Sequence, residues 1–215
     1  MGELNKATSV VVQAGGQSRR FGRPKALMRI GDRPLIEHVL ARVGDLGDEC
    51  LVTTNRPQDF EYLGLRLAED PAASVGAGAL NGLATALRAA EGEHVLVVAC
   101  DMPFVQTALA THLIDVAAAQ APEAVVVPRW ERGFEPLLAV YPRRALDLVM
   151  EILDAGSQRM TDLLDRHPLR VVEGEELAAL DPEGLSFFNV NTPEDLSRAE
   201  AIYVRVKHGK GQRGI

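Results

Sequence analysis

The chain has little of what would mark it as anything but an ordinary globular protein. Its 215 residues include only two cysteines, Cys50 and Cys100, which form no C-x-x-C pair. That argues against a disulfide framework or a zinc knuckle. Each lies beside an apolar, strand-like run, which predicts two buried thiols in a reducing compartment. No apolar stretch approaches the roughly 20 residues a membrane-spanning helix needs. The opening Met1-Gly-Glu-Leu-Asn-Lys6 lacks the apolar core of a secretory signal. Lys6 stands where an acylation signal would carry Ser or Thr. The expected setting is the cytoplasm, without a membrane partner. Collagen-like, coiled-coil and acidic low-complexity patterns are also missing. What remains is 47% hydrophobic and 25% charged, the balance of a globular domain. A chain of this length buries about 70% of its unfolded surface on folding.

Basic charge is scarce overall, with a formal net charge of −7. A general nucleic-acid binder would carry a basic footprint, so that class is disfavoured. The cations are unevenly placed, however. Arg19, Arg20, Arg23, Lys25, Arg29 and Arg33 fall between Gly15 and Pro34, against the single acid Asp32. A basic island in an acidic chain is either a solvated loop or a local anion site.

Strand-like and helix-like runs alternate along the chain. Strands are expected at Ser9–Val12, Glu49–Thr54, Leu65–Ala68, Val95–Ala99, Ala124–Val127, Pro136–Tyr141, Leu169–Val172 and Phe187–Val190. Helices are expected from Pro34 through Val43, over Leu80–Ala90, 107–119, Pro142 to about Leu153, and Met160–Asp165. Thr192-Pro-Glu-Asp195 carries a helix-start signature, with Thr as cap, Pro next and acids in the first turn. That helix is expected to reach about Val204. Residues 1–204 then form one domain, and 205–215 a polar, Gly-rich tail expected to be disordered. The alternation predicts an α/β fold of three layers, a mostly parallel Rossmann-like sheet with helices on both faces. Such sheets bind ligands beyond the carboxyl ends of their strands. The Gly-rich loop, Asn55, Asp70, Asp101 and Asn191 all follow strand runs and could meet in one crevice.

The loop Gln13-Ala-Gly-Gly-Gln-Ser-Arg-Arg-Phe-Gly-Arg-Pro-Lys25 is the chain's most informative segment. Gly15 and Gly16 allow a sharp turn and close approach to a ligand. Amides turned inward there make an anion-binding nest, to which Arg20 and Lys25 add charge. The loop lacks the G-x-x-x-x-G-K-[ST] spacing of a P-loop and the G-x-G-x-x-G spacing of a dinucleotide site. Asp101 follows the apolar run Val95–Ala99 after the single residue Cys100, where a carboxylate either caps a turn or holds a metal.

Four segments then resemble one family. Ala14-Gly-Gly-Gln-Ser-Arg-Arg-Phe-Gly-Arg-Pro-Lys25 is similar to the A-G-G-x-S-x-R-M-G-x-D-K signature of the molybdenum cofactor guanylyltransferases and their nucleotidyltransferase relatives. Cys100-Asp-Met-Pro-Phe104 resembles the family's C-D-M-P-F turn. Glu135-Pro-Leu-Leu-Ala-Val-Tyr141 resembles its P-L-x-A-x-Y strand, and Phe187–Leu196 its N-x-N-T-P-E-D-L element. The order is the family's own, and the resemblance covers roughly residues 8 to 204. It implies a nucleotide-diphospho-sugar transferase-like fold and transfer of GMP from Mg-GTP to the terminal phosphate of molybdopterin. The products would be the guanine dinucleotide cofactor and pyrophosphate. On that pattern Gln13, Ala14, Gly15 and Gly16 line the nucleotide, and Arg20 and Lys25 face its phosphates. Asn55 and Asp70 meet the base or ribose, Asp101 holds Mg2+, and Asn189 or Asn191 completes the metal or pterin side. GTP and molybdopterin are the implied partners, with room for cofactor-delivery proteins; a monomer is favoured over an oligomer.

The chain departs from the family at three places. Pro24 replaces Asp before Lys25, Gln13 stands where Leu is usual, and Ala79-Leu-Asn-Gly82 replaces P-L-A-G. Two other readings stand beside guanylyl transfer: a relative using CTP or another phosphate acceptor, and a non-catalytic GTP-binding adaptor. The double glycine favours GTP, since CTP-using relatives typically carry A-A-G there. Trp130, in the Arg129–Phe134 loop, either touches the pterin or covers the core. The five histidines lie outside these motifs and are given no role.

Overall fold

The computed structural model describes residues 7–15, 24–71 and 78–211, with side chains to Lys207. Its first strand, β1 (Thr8–Gln13), is buried along its whole length. Side chains alternate across a strand, and here both directions lead into protein. Val10 and Val12 face one apolar cluster, and Val11 faces another. A strand covered on both faces has no need of polar positions, which is why the run reads as uninterrupted valine. Each fully buried valine contributes roughly 1.5–3 kcal/mol of transfer free energy.

The remaining strands are β2 (Arg29–Ile30), β3 (Arg33–Pro34), β4 (Glu49–Thr53), β5 (Arg66–Ala68), β6 (His94–Ala99), β7 (Val125–Trp130), β8 (Gly133–Phe134), β9 (Leu138–Pro142) and β10 (Leu169–Val172). The helices are α1 (Leu35–Val43), α2 (Ala79–Ala89), α3 (Thr107–Ala119), α4 (Ala145–Asp154), α5 (Met160–Arg166), α6 (Gly174–Leu180) and α7 (Pro193–Gly211). The main sheet runs β10-β7-β9-β6-β1-β4-β5, with β8 hairpinned onto β7. β1 pairs in parallel with β4 and β6, β4 with β5, and β7 with β10. β9 alone among the long strands is reversed, antiparallel to both β6 and β7.

The sheet is the middle of three layers. On one face Val10, Val12, Leu96 and Val98 pack with Ile36 and Val39 of α1 and Leu109 and Leu113 of α3. On the other face Val11, Val95, Val97 and Tyr141 pack with Leu80, Leu83 and Leu87 of α2, Val149 and Ile152 of α4, and Leu163 of α5. A smaller cluster joins Met28, Ile30, Leu35, Phe104, Val190 and Ala199. It binds the β2–β3 hairpin to the stretch before α7. The hairpin turns on Gly31, which has a left-handed φ of +58°. The Tyr203 ring lies so close that a Cβ at residue 31 would stand 2.7 Å from it.

Several expectations need correction. Phe187–Val190 is not a strand: Leu185–Phe187 is a 3-10 turn, followed by irregular backbone. It is tied to the sheet's end by Val190 N–H, which donates to the Asp101 carbonyl at 3.0 Å, and by Phe187, which stacks on Trp130. The helix expected to stop near Val204 continues to Gly211, so most of the tail read as disordered is helical. No proline interrupts Arg205–Gly211, and Arg and Lys are good helix formers. The helix read from Pro142 begins at Ala145, because Pro142 still pairs with His94. The β8 hairpin strand and α6 were not expected from the sequence. Cys100 is buried, but Cys50 only partly so. Burial pushes both thiols up, Cys50 to about 11 and Cys100 to about 12, so both are poorly reactive near neutrality. Among the described residues no helix is long and apolar enough to cross a membrane.

The start of α7 is a reciprocal cap. Asp195 N–H donates to Thr192 Oγ1 at 3.1 Å, while Asp195 Oδ2 accepts from the N–H groups of Asn191 and Thr192, each at 3.0 Å. Those bonds, Asn191's first, hold the Asp195 carboxyl below its ordinary value. Thr192→Ala should lower stability by about 1 kcal/mol in denaturant unfolding. An unchanged midpoint would show that packing alone holds this segment.

Candidate active site

The parallel strands deliver their carboxyl ends to one edge of the sheet. β1 ends at Gln13, β4 leads to Asn55, β5 to Asp70 and β6 to Asp101. Because β9 is reversed, its entrance, Glu135–Leu137, arrives at the same edge. Ala14 N–H donates to the Thr53 carbonyl and Cys100 N–H to the Gln13 carbonyl. The backbone at this edge is therefore tied across three neighbouring strands.

Two constellations stand along it. In the first, Lys25 Nζ donates to Asp101 Oδ2 at 2.5 Å and to Asn191 Oδ1 at 2.6 Å. Lys25 reaches this place because Pro24 leads straight into a 3-10 turn over Lys25–Leu27, whose Ala26 is buried. Pro24 occupies a cap position with φ −55°, a value natural to proline. The proline that departs from the family motif thus suits the turn that presents Lys25. Asp101 Oδ1 is buried and has no hydrogen-bond partner among the described residues. One carboxylate oxygen is bonded to an ammonium and the other is left without a partner among these residues.

The second constellation lies on the β4–β5 side. Asn55 Nδ2 donates to Asp70 Oδ2 at 3.0 Å, and Asp70 N–H returns a bond to Asn55 Oδ1 at 3.2 Å. Thr85 of α2 donates to Asp70 Oδ1 at 2.6 Å. Both carboxylate oxygens of Asp70 are thereby oriented before any ligand arrives. Strands β6 and β5 are three spacings apart in the sheet, roughly 14 Å. That separation is comparable to the length of an extended nucleotide.

Of the residues expected from the sequence, Lys25, Asp101 and Asn191 are in direct contact, and Asn55 and Asp70 form their own pair. Gln13 and Ala14 lie between the two groups. Gly15 is exposed, and a Cβ there would meet nothing within 4 Å. Asn189 turns to local use, its Nδ2 donating to the Phe187 carbonyl at 3.3 Å. Gly16 and Arg20 lie outside the described residues. Trp130 stacks on Phe187, with ring centroids 5.4 Å apart and planes 4° from parallel. Its ring also roofs Gly184, where a Cβ would come within 2.6 Å, so the indole has a packing role.

Two site residues were missed. Thr85 is buried on α2, and its only sequence signal is a hydroxyl amid Leu80, Leu83 and Leu87. Glu135 stands at the mouth of β9, immediately before Pro136. Burial pushes its carboxyl above the usual carboxylate range; the Leu137 N–H bond opposes this, and the nearby Asp101 charge adds to it. An acid opening a buried apolar strand was the signal available.

A parallel sheet edge carrying a lysine–aspartate contact and a pre-set Asn–Asp pair accords with a nucleotidyltransferase. The comparisons agree. The model of the MobA-like NTP transferase domain matches residues 10–171. A probable molybdenum cofactor guanylyltransferase of Pelotomaculum thermopropionicum is 34% identical over 95% of this chain and 97% of its own. A molybdenum cofactor guanylyltransferase of Desulfosudis oleivorans is 34% identical over 91% and 95%. The crystal structure of molybdopterin-guanine dinucleotide biosynthesis protein A from Archaeoglobus fulgidus superposes with a TM-score of 0.78 at 30% identity, covering 92% of this chain and 99% of that one. The chain belongs to the MobA-like NTP transferase family and is a nucleotidyltransferase of the molybdenum cofactor guanylyltransferase type.

The environment of Glu135 gives a pH test. Its folded value lies above the unfolded one, so ionisation in the folded protein is costly as pH rises from the ordinary carboxylate value of about 4.3. Glu135→Gln should therefore be more stable than the parent at neutral pH, with the gain vanishing below about pH 4. Urea unfolding of both proteins at the two pH values checks this. An equal gain at both would trace the effect to something other than charge.

Proposed function

We propose that the chain transfers GMP from Mg-GTP to the terminal phosphate of molybdopterin, forming molybdopterin guanine dinucleotide and pyrophosphate. The observation that carries this reading is the contact of Lys25, Asp101 and Asn191 at the end of the Gly-rich loop. The names of the chain's relatives supply the chemistry.

Attack on an α-phosphate concentrates negative charge on oxygen, so positioning and charge neutralisation provide most of the catalysis. On this reading Gln13, Ala14, Gly15 and Gly16 line the nucleotide. Arg20 and Lys25 face its phosphates, and Asn55 and Asp70 hold the ribose or base. Lys25 exchanges its bonds with Asp101 and Asn191 for phosphate oxygens when the nucleotide binds. The donor set at Asp101 fits magnesium, which needs only one or two carboxylates beside phosphate oxygens and water. The open Oδ1 is such a donor. Among the described residues no cluster of three or more His, Cys, Asp or Glu side chains could hold a metal by itself. When bound, magnesium would neutralise charge on the phosphates. Asn191, or Asn189 after leaving Phe187, borders the metal or pterin side. The acceptor phosphate is already ionised, so the site needs no strong general base, and no histidine stands in it.

Mixing purified protein with Mg2+, GTP and molybdopterin should release pyrophosphate and yield the dinucleotide, detected by mass spectrometry. GTP binding without pyrophosphate release, in a metal-loaded sample, would make the protein an adaptor. Clearly tighter binding of CTP than of GTP would overturn the guanylyl assignment. Asp101→Ala should cut turnover by at least about 100-fold while leaving the circular dichroism spectrum unchanged. An active Asp101→Ala protein would remove Asp101 from the metal site.

A further inference from the structure

Gln13 ends β1 with its backbone committed on both sides, to Thr53 of β4 and Ala99 of β6. Its side chain shares the face of Val11, the face covered by α2. There it rests against Gly82, where a Cβ would stand 3.2 Å from Gln13 Oε1. The residue is 8% exposed, and its Nε2 is buried with no hydrogen-bond partner among the described residues. A buried N–H without an acceptor is destabilising. A leucine, the residue usual at this place in the family motif, would fill similar space without that penalty. Gly82 and Thr85 are three residues apart on α2, hence on one face of it, and Thr85 holds Asp70. The Gln13 amide therefore lies one helical turn from the Asn55–Asp70 pair.

We infer that the Gln13 carboxamide is a specificity-determining group of the nucleotide site, its Nε2–H donating to a carbonyl oxygen of the base. The inference rests on the nucleotidyl-transfer reading above. Phosphates are met by charge, at Lys25, and a ribose hydroxyl by the Asp70 carboxylate. A neutral donor in an enclosed place suits a neutral acceptor. Guanine and hypoxanthine present such an acceptor, O6, at the place where adenine has an amino group. The last side-chain torsion of glutamine is soft, so the amide can turn to meet an arriving base.

The test compares the Kd of GTP, inosine triphosphate and ATP, each with Mg2+, for the unsubstituted protein and for Gln13→Leu, with thermal melts of both proteins free of nucleotide. Gln13→Leu should weaken GTP and inosine triphosphate by about 5-fold or more, leave ATP unchanged, and leave Tm equal or higher. Should Gln13→Leu lower Tm, Gln13→Met, which keeps the side-chain length, replaces it in the comparison. Unchanged GTP affinity in the variant overturns the inference alone, since the nucleotidyl-transfer reading stands while the unsubstituted protein binds GTP. Equal losses for GTP and ATP also overturn it, because the change then reports pocket shape and not the base. Failure of the unsubstituted protein to bind GTP overturns both readings.

Discussion

The ammonium group of Lys25 joins side chains from three separate stretches of chain. Asp101 comes from the exit of the central strand β6, and Asn191 from the segment before the last helix. Lys25 itself comes from a short turn anchored by the buried Ala26. The Lys25 and Asp101 side chains keep 21% and 16% exposure. Such a pair is screened less than one on the surface but remains within reach of solutes. The contact marks where charge is concentrated on this sheet edge, and the surrounding elements hold it there. Val190 bonds to the Asp101 carbonyl, and Thr192 and Asp195 fix the backbone on which Asn191 stands.

Much of this arrangement was legible in the sequence because the strong signals were physical ones. Valine runs covered on both faces revealed β1 and β6, and helical spacing revealed α2 and α3. Strand exits followed by Asn55, Asp70 and Asp101 placed those residues along one sheet edge, while their expected roles came from the family resemblance. What stayed hidden depended on tertiary context. Phe187–Val190 has the composition of a strand, but Phe187 ends a 3-10 turn and stacks on Trp130, and Val190 bonds to the Asp101 carbonyl. The direction of β9 could not be read from Pro136–Tyr141, since an apolar run carries no sign of which way it pairs. Cys50 looks as buried as Cys100 in sequence, yet the sheet covers only one of them fully.

The two missed site residues make the same point from the other side. Thr85 is a common residue in an unremarkable helix, and only its approach to Asp70 gives it meaning. Glu135 was quoted within a recognisable motif, but a motif gives order and spacing, not surroundings. Its raised carboxyl is a product of burial and of Asp101, and these are properties of the folded edge. Pro24 shows the reverse case: an apparent defect in the signature becomes intelligible once the backbone before Lys25 is seen to need a fixed φ.

The reversal of β9 has an architectural result. On the β1–β4–β5 side the crevice is bordered by strand exits, each followed by a crossover that must span the sheet. On the β9 side it is bordered by the entrance of a strand reached through a short hairpin, Trp130 to Gly133. The tip of such a hairpin can lengthen, shorten or change without moving any crossover, because no crossover passes through it. One wall of the cleft is therefore tied to the whole domain, while the other can vary almost on its own, which gives the fold separate control over its two flanks.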